Sequence, residues 1–357
     1  MRKFTATLAL LCIIAATGLR GQQPPVFTPF GALPVLDAYL ESLRQQAAIP
    51  GMSAAVVRDG AVIWEKGYGF QNTAARLRAT PDTPYLVGDL SGTLAAVMLL
   101  RCAEERKVDP DQPIRKYGAE LPEPNVTVRD VLSHTTPGAE QPFNYSPDRY
   151  VQLTGIVERC QERSYRKSVA SLLDQSAMRD SVPGIDFWRS DEPLRDEAFD
   201  EEDVLRYRQV LDRMAVPYKV DTRGRAERTD LPPIAISAAG GLVTTVRDLA
   251  RLDATLDSGV ILRQETLDAA WNPVVTPFGF VSPMGLGWFV QSYRAERVVW
   301  HFGLNPGAYS SLMLKLPDRK LTFILLANSD GLNAPFQLSS GNVTRSLFAS
   351  LFLRLVT

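Results

Sequence analysis

A serine hydroxyl is a weak nucleophile at neutral pH, and a nearby lysine amine can take its proton. A spacing of three residues sets two such side chains on one face of a helix. The chain holds one such pair, Ser164 and Lys167. With only eight lysines present, chance supplies about half of such a match, so the pair counts only in the right structural setting. There is no Gly-x-Ser-x-Gly elbow. The two histidines, His134 and His301, and the three cysteines are too few for a Cys/His zinc site. No metal or cofactor is expected, although a carboxylate-rich site is not excluded. The shortage of Lys and His also leaves few general bases near neutral pH.

The bulk numbers narrow the setting. Basic and acidic side chains number 39 and 40, for a net charge of −1. With no basic block, the chain lacks the electrostatic footprint of a nucleic-acid binder. A length of 357 residues suits one large domain or two interleaved lobes. That is enough chain for a core that needs no disulfide or metal staple. Arg2 and Lys3 precede an apolar run from Phe4 to Gly18. The run is short for a bilayer span and reads as a signal peptide over residues 1–21. A retained anchor is the second reading, and Leu11 before Cys12 argues against lipidation. Export, to the periplasm or the medium, follows, with no membrane span after cleavage. Export permits a Cys102–Cys160 disulfide. Sequence does not place the Cα atoms, so two buried free thiols is the preferred reading.

The elements that must position any site follow from periodicity. Residues 22–33 form a Gln/Pro-rich lead-in, and Val35, Leu36, Tyr39, Leu40 and Leu43 mark a helix to about Ala48. Asp59-Gly60 between Met52–Arg58 and Ala61–Gly67 predicts a hairpin. Leu90–Ala103 is nearly all apolar and should be a buried helix. Helices are expected over Val128–Ser133, Asp148–Arg163, Tyr165–Gln175 and Val246–Leu256. Strands are expected at 285–291, 296–301, 308–316 and 321–328, then a helix from Phe336 to Leu353. Early and late strands must share one sheet for either to be stable. The expectation is an α/β lobe from 22–88 and 280–357, with a mainly helical lobe from 89–279 inserted in it. A cleft between such lobes is the default site. Residues 191–203 hold eight acids and one arginine and read as a solvated, charged insertion.

Several segments together resemble the serine β-lactamase and penicillin-binding-protein family, in the branch of class C β-lactamases, D-alanyl-D-alanine carboxypeptidases and related esterases. They include Pro50-Gly51, Lys66-Gly67-Tyr68-Gly69, Val126–Thr135, Ala239–Thr245 with Asp248-Leu249-Ala250, Gly285–Trp288, His301-Phe302-Gly303, Pro306-Gly307 and Ala327-Asn328. The likeness covers about residues 34–355. It implies an α/β (α+β) β-lactamase/transpeptidase-like fold: an antiparallel sheet flanked by helices, with an inserted helical lobe.

The resemblance also implies three site motifs. Thr83-Pro84-Tyr85 and Thr93–Ala96 set the register of the first, Ser-x-x-Lys. Its serine position is Asp89 and its lysine position is Gly92, so both reactive groups are missing. Ser91 lies two residues on, about 200° around the helix, and Leu94 follows where it would need a base. Ser164 and Lys167 fall away from the cleft. The second motif, Tyr-x-Asn, reads Tyr145-Ser146-Pro147: the phenol is kept and the amide is lost. Tyr145 is expected to be a packed aromatic with a backbone partner. The third motif survives as His301-Phe302-Gly303. By resemblance, the N–H groups of residue 89 and Leu304 would form an oxyanion hole, and main-chain donors outlast side-chain loss. His134 would belong to a structural turn. Asp89 is expected to cap its helix.

The leading reading is an exported, non-catalytic relative whose cleft, lined by Tyr145, His301, Gly303 and Leu304, binds a peptide-like or cell-wall-like ligand. A second is an active serine-type hydrolase (an esterase, D-amino-acid peptidase or β-lactamase) using altered residues. A third is a protein-interaction module that works through 191–203.

Overall fold

The computed structural model describes residues 29–188, 199–231 and 234–357. The expected leader and the acidic stretch 191–198 lie outside the described residues. In chain order, helix α1 (Pro29–Gln46) leads into β1 (Gly51–Arg58), β2 (Ala61–Asn72), β3 (Leu77–Arg78) and β4 (Tyr85–Leu86). Helices α2 (Gly92–Glu104), α3 (Val128–Leu132), α4 (Val151–Gln161), α5 (Tyr165–Gln175) and α6 (Glu201–Asp212) follow. Next come β5 (Tyr218–Val220), β6 (Ala226–Arg228), β7 (Val243–Thr244), α7 (Val246–Asp257) and α8 (Gln264–Ala270). The chain ends with β8 (Phe289–Tyr293), β9 (Glu296–Asn305), β10 (Tyr309–Leu316), β11 (Leu321–Ala327) and α9 (Leu347–Val356).

The hairpin between β1 and β2 turns at Asp59 and Gly60, both with positive φ (52° and 75°), as a two-residue turn of this hand requires. Seven strands form one sheet in the order β3-β2-β1-β11-β10-β9-β8. Early and late strands meet where β1 pairs antiparallel with β11, from Met52↔Ala327 to Arg58↔Leu321. Alternation then divides β1 and β11 between two cores. Ala55, Val57, Ile324 and Leu326 join the core under the inserted helices. Met52, Ala54, Val56, Phe323 and Leu325 join a second core, where α1 packs on α9. Both faces are covered, which is why these strands read as continuous apolar runs.

Side-chain caps start several of the helices. Thr127 and Asp130 form a reciprocal capping box at α3, and Thr245 accepts from the Asp248 N–H at α7. Ser164 Oγ caps α5 by accepting the Lys167 N–H at 3.3 Å. The lone Ser-x-x-Lys is therefore a helix start. Asp200 caps α6, and Glu201, Glu202 and Asp203 fill its first turn, where carboxylates suit the helix dipole.

Four expectations change. Two free thiols give way to a Cys102–Cys160 disulfide with Cα atoms 6.2 Å apart, because α2 and α4 pack within bridging range. The helix expected at Leu90 begins as a 3-10 turn over Gly88–Ser91. The strand expected at 285 begins at Phe289, since Gly287 adopts φ +95° and a Cβ at Gly285 would lie 2.0 Å from the Ala270 carbonyl oxygen. The last helix is confined to α9; the preceding residues form short 3-10 turns broken at Gln337 and Gly341, both at positive φ.

The disulfide closes a loop of 58 residues' separation. Replacing both cysteines with alanine should lower unfolding free energy by about 2–4 kcal/mol, read as a reduced urea midpoint against the oxidised parent.

Candidate functional site

The site begins with a close approach of two backbones. Gly303 on β9 lies against the turn leading into α2. A Cβ at Gly303 would stand 1.8 Å from the Val87 carbonyl oxygen and 2.9 Å from the Leu90 nitrogen. Only glycine fits there. Val87 is held from two sides, its N–H donating to the Leu242 carbonyl at 3.1 Å and its carbonyl accepting from Ser311 Oγ at 2.8 Å. Gly88 takes φ +56°. Residue 89 is thereby aimed along the end of β9.

Asp89 does not cap a helix, contrary to expectation. The N-cap of α2 is Ser91, and neither that helix nor the turn before it has a side-chain cap. The Asp89 carboxyl instead faces the Leu304 N–H and the Tyr145 hydroxyl, both of which favour its charged form. The Leu304 N–H assigned by resemblance to an oxyanion hole thus has the protein's own carboxyl beside it. The Tyr145 hydroxyl has the Asp89 carboxyl as its polar neighbour rather than the expected backbone partner.

The residues that fill the site explain the missing amine. A Cβ on Gly92 would lie 2.9 Å from the Tyr150 ring. That ring is buried, its hydroxyl donates to the Leu132 carbonyl at 2.8 Å, and it stacks on His134 at 4.8 Å between centroids. A side chain at the lysine position requires this ring to move. Ser91 offers no substitute nucleophile: it is 2 % exposed and its Oγ accepts the Leu242 N–H at 3.4 Å. Pro147 opens a 3-10 turn over Pro147–Tyr150, where a missing N–H costs little. His134 sits in its turn with φ +51°, and its ring also packs 4.6 Å from that of Tyr145.

The electrostatics are one-sided. Burial pushes the Asp89 carboxyl up to about 7; the Leu304 N–H opposes the rise, the Asp148 carboxylate adds to it and Tyr145 opposes it. Burial holds His301 down to about 4 and His134 down to about 3, with repulsion from His301 and Arg149 contributing at His134. Both rings are neutral at pH 7. His301 Nδ1 donates to the Phe302 carbonyl at 2.7 Å, and His134 Nδ1 accepts the Ser146 N–H at 3.1 Å. The nearby cation, Arg149, turns to Glu123 at 3.3 Å and Thr136 at 2.8 Å. Among the described residues no Lys or Arg contributes to the balance at Asp89.

Tyr145, His301, Gly303, Leu304 and Asp89 lie together, while Ser91 points into the packing and Lys167 lies on α5. Asp148 and Tyr150 were missed. The signal for Tyr150 was the volume left by glycine at a lysine position, which close packing must fill. Asp148 carried no signal, because its approach to Asp89 depends on the turn that Pro147 starts. A cavity of about 480 Å³ lined by Asp111, Arg129, Pro137, Pro142, Val274 and Phe278 involves none of the motif residues.

Comparison with known proteins places these features. The family model described as Beta-lactamase matches residues 36–344. "Unguisins hydrolase ungD'" of Aspergillus campestris is 25% identical over 319 residues, covering 79% of this chain and 59% of that protein. The chain thus spans about three-fifths of that relative's length. The structure of the octameric penicillin-binding protein homologue from Pyrococcus abyssi superposes with a TM-score of 0.70 at 21% identity, over 90% of this chain and 77% of that one. A D-amino acid amidase from Ochrobactrum anthropi, complexed with L-phenylalanine amide, gives 0.67 at 19% identity, over 90% and 99%. At these identities the two structures share the fold.

Two predictions test the geometry. Gly92→Ala should destabilise by about 1–3 kcal/mol through overpacking against Tyr150. Gly155→Ala, in α4 with nothing within 4 Å of its would-be Cβ, should stabilise by about 0.5–1 kcal/mol. Paired urea melts of the two variants read the opposite signs. A raised carboxyl pKa means that the folded state holds the proton more tightly. Asp89 therefore supports stability most below its unfolded value of 3.8 and loses that support as pH rises to about 7. Asp89→Asn should then gain stability over the parent progressively across that window, reaching about 1–2 kcal/mol above it. A gain that does not change with pH in urea melts would contradict the buried carboxylate.

Proposed function

We propose, from the premise that the chain belongs to the beta-lactamase family, that it is an exported member that does not form an acyl-enzyme. It keeps the cleft at Tyr145, His301, Gly303 and Leu304 as a binding site for a peptide-like or cell-wall-like ligand. One observation carries this reading: a carboxyl stands at the nucleophile position, beside the N–H that would otherwise receive a substrate's carbonyl oxygen. Three requirements of acyl transfer are then unmet. The nucleophile is a carboxylate, whose attack on an amide or ester would give a high-energy anhydride. The base is absent, since Gly92 carries no side chain and Tyr150 stands against it. The Leu304 N–H faces the Asp89 carboxyl, whose charge would oppose the negative charge that develops on a substrate oxygen.

Binding asks for less. Asp89, Tyr145 and Leu304 are partly exposed, so the niche is open to a ligand that meets their polar groups. Export is supported by the Cys102–Cys160 disulfide, since such bonds persist in oxidising compartments. Among the described residues no helix is long and apolar enough to cross a membrane.

Intact-mass measurement after incubation with a penicillin, and separately with a fluorophosphonate, should show the unmodified chain. A stoichiometric adduct that disappears in Asp89→Ala or Ser91→Ala would overturn the reading.

A further inference from the structure

We propose that the cavity between two surface hairpins, residues 134–144 and 274–282, is a second binding site, for an uncharged aromatic ligand that carries a carbonyl acceptor, an aryl amide or aryl ester. None of the cleft's motif residues lines it, so the proposal does not depend on the chemistry of the cleft.

The cavity holds about 480 Å³, within the range that encloses a small organic ligand. One wall is the hairpin 274–282. The Thr276 N–H donates to the Phe280 carbonyl and the Gly279 N–H to the Thr276 carbonyl, both at 2.9 Å. Pro277 takes the second turn position and Gly279 closes the turn at φ +80°, as Thr276-Pro277-Phe278-Gly279 specifies. This turn holds Phe278 86% exposed and Val275 61% exposed, and both line the cavity. Large apolar side chains gathered in solvent on one cavity mark a surface to be covered. The other wall is the hairpin 134–144. It is closed by the Thr136 N–H donating to the Pro142 carbonyl at 2.7 Å and the Asn144 N–H donating to the His134 carbonyl at 2.9 Å, and it contributes Pro137 and Pro142. A flat ring between Phe278 and these prolines takes apolar surface out of water on both sides. An aromatic ring adds its attraction to the phenyl ring.

The polar lining selects the rest of the ligand. Arg129 grips Asp111 through Nε at 2.5 Å and Nη2 at 3.1 Å, and its Nη1 has no partner among the described residues. Thr136 Oγ1 accepts from Arg149 at 2.8 Å, which leaves its own proton to donate. The carboxylates are spent. Both Asp111 oxygens accept from Arg129. Asp130 Oδ2 accepts the Thr127 N–H at 2.9 Å and hydroxyl at 2.6 Å, and its Oδ1 accepts the Thr135 hydroxyl at 3.1 Å. Asn125 adds an amide that serves either role. Arg129 and Thr136 therefore ask for an acceptor. Charge is disfavoured on both counts. The lining holds one guanidinium against two carboxylates, Asp111 and Asp130, so a ligand carboxylate would meet a surplus of negative charge. An ammonium only donates and would face donors. A carbonyl oxygen accepts and carries no charge.

The test titrates the full chain at neutral pH with three probes of one shape, naphthylpropanamide, naphthylpropanoate and naphthylpropylammonium, and reads binding by naphthyl fluorescence. The amide should bind at least about fivefold tighter than either charged probe. Phe278→Ser, at an exposed tip, should weaken the amide by about fivefold or more. Asp111→Asn leaves Arg129 without its counter-charge and should narrow the preference for amide over propanoate by about threefold or more. No saturable binding of the amide, equal affinity for the three probes, or an unchanged preference in Asp111→Asn would each overturn the proposal. So would a Phe278→Ser chain that binds the amide as the parent does, the result expected if the amide entered the cleft instead. The comparison of head groups uses the parent alone, so a folding defect in a variant cannot shield the proposal. The penicillin and fluorophosphonate masses report on the cleft, so that reading and this one fail separately.

Discussion

The contact between Gly303 and the turn before α2 is the constraint on which the site depends. A side chain at 303 would overlap the Val87 carbonyl, so β9 could not lie where it does and residue 89 would lose its neighbours. With glycine there, Ser311 Oγ and the Leu242 carbonyl clamp Val87 from opposite sides. The left-handed Gly88 then turns the chain into the 3-10 start of α2. Nothing in this arrangement uses the chemistry of the residue it presents. The frame that would position a serine positions an aspartate equally well.

Replacing serine and lysine does more than delete two reactive groups. A lysine at 92 would bring a positive charge near residue 89. Glycine there brings none, and Tyr150 brings only its ring face. The two histidines cannot compensate, because burial keeps both neutral at pH 7. Arg149 lies in the same turn as Asp148 and Tyr150 but spends its charge on Glu123. The sign of the cleft thus follows from which side chains are buried with partners and which are not, rather than from the chain's near-zero net charge.

Much of the fold was legible because it is written in local rules. Asp59-Gly60 specifies its turn, and alternate burial of β1 and β11 follows from a sheet covered on both faces. Motif order proposes Asp89, Gly92, Tyr145 and His301 as site positions without any geometry. What could not be read depends on distances between segments far apart in sequence. The disulfide needs α2 and α4 to come within 6.2 Å. Asp89 could be foreseen only as a cap, because capping is a local rule and its approach to Leu304 joins segments far apart in sequence. The final helix failed for a local reason that went unweighed: Ser339-Ser340-Gly341-Asn342 offers poor helix formers, and the chain turns at Gly341 instead.

The identity of residue 89 can also be weighed against its alternatives. Alanine there would remove the buried charge but leave the Tyr145 hydroxyl without its acceptor, in a phenol whose ring is enclosed by His134, Phe289 and Phe302. An unmet buried hydroxyl costs about 1–3 kcal/mol. A leucine would be worse, since it would also crowd the Leu304 N–H. Asparagine would satisfy both donors through its carbonyl oxygen without any charge. Asparagine is thus the cheapest residue for stability alone, and the chain carries aspartate. The carboxylate's extra cost shows in a pKa that burial holds up at about 7, against the opposing pull of the Leu304 N–H and the Tyr145 hydroxyl.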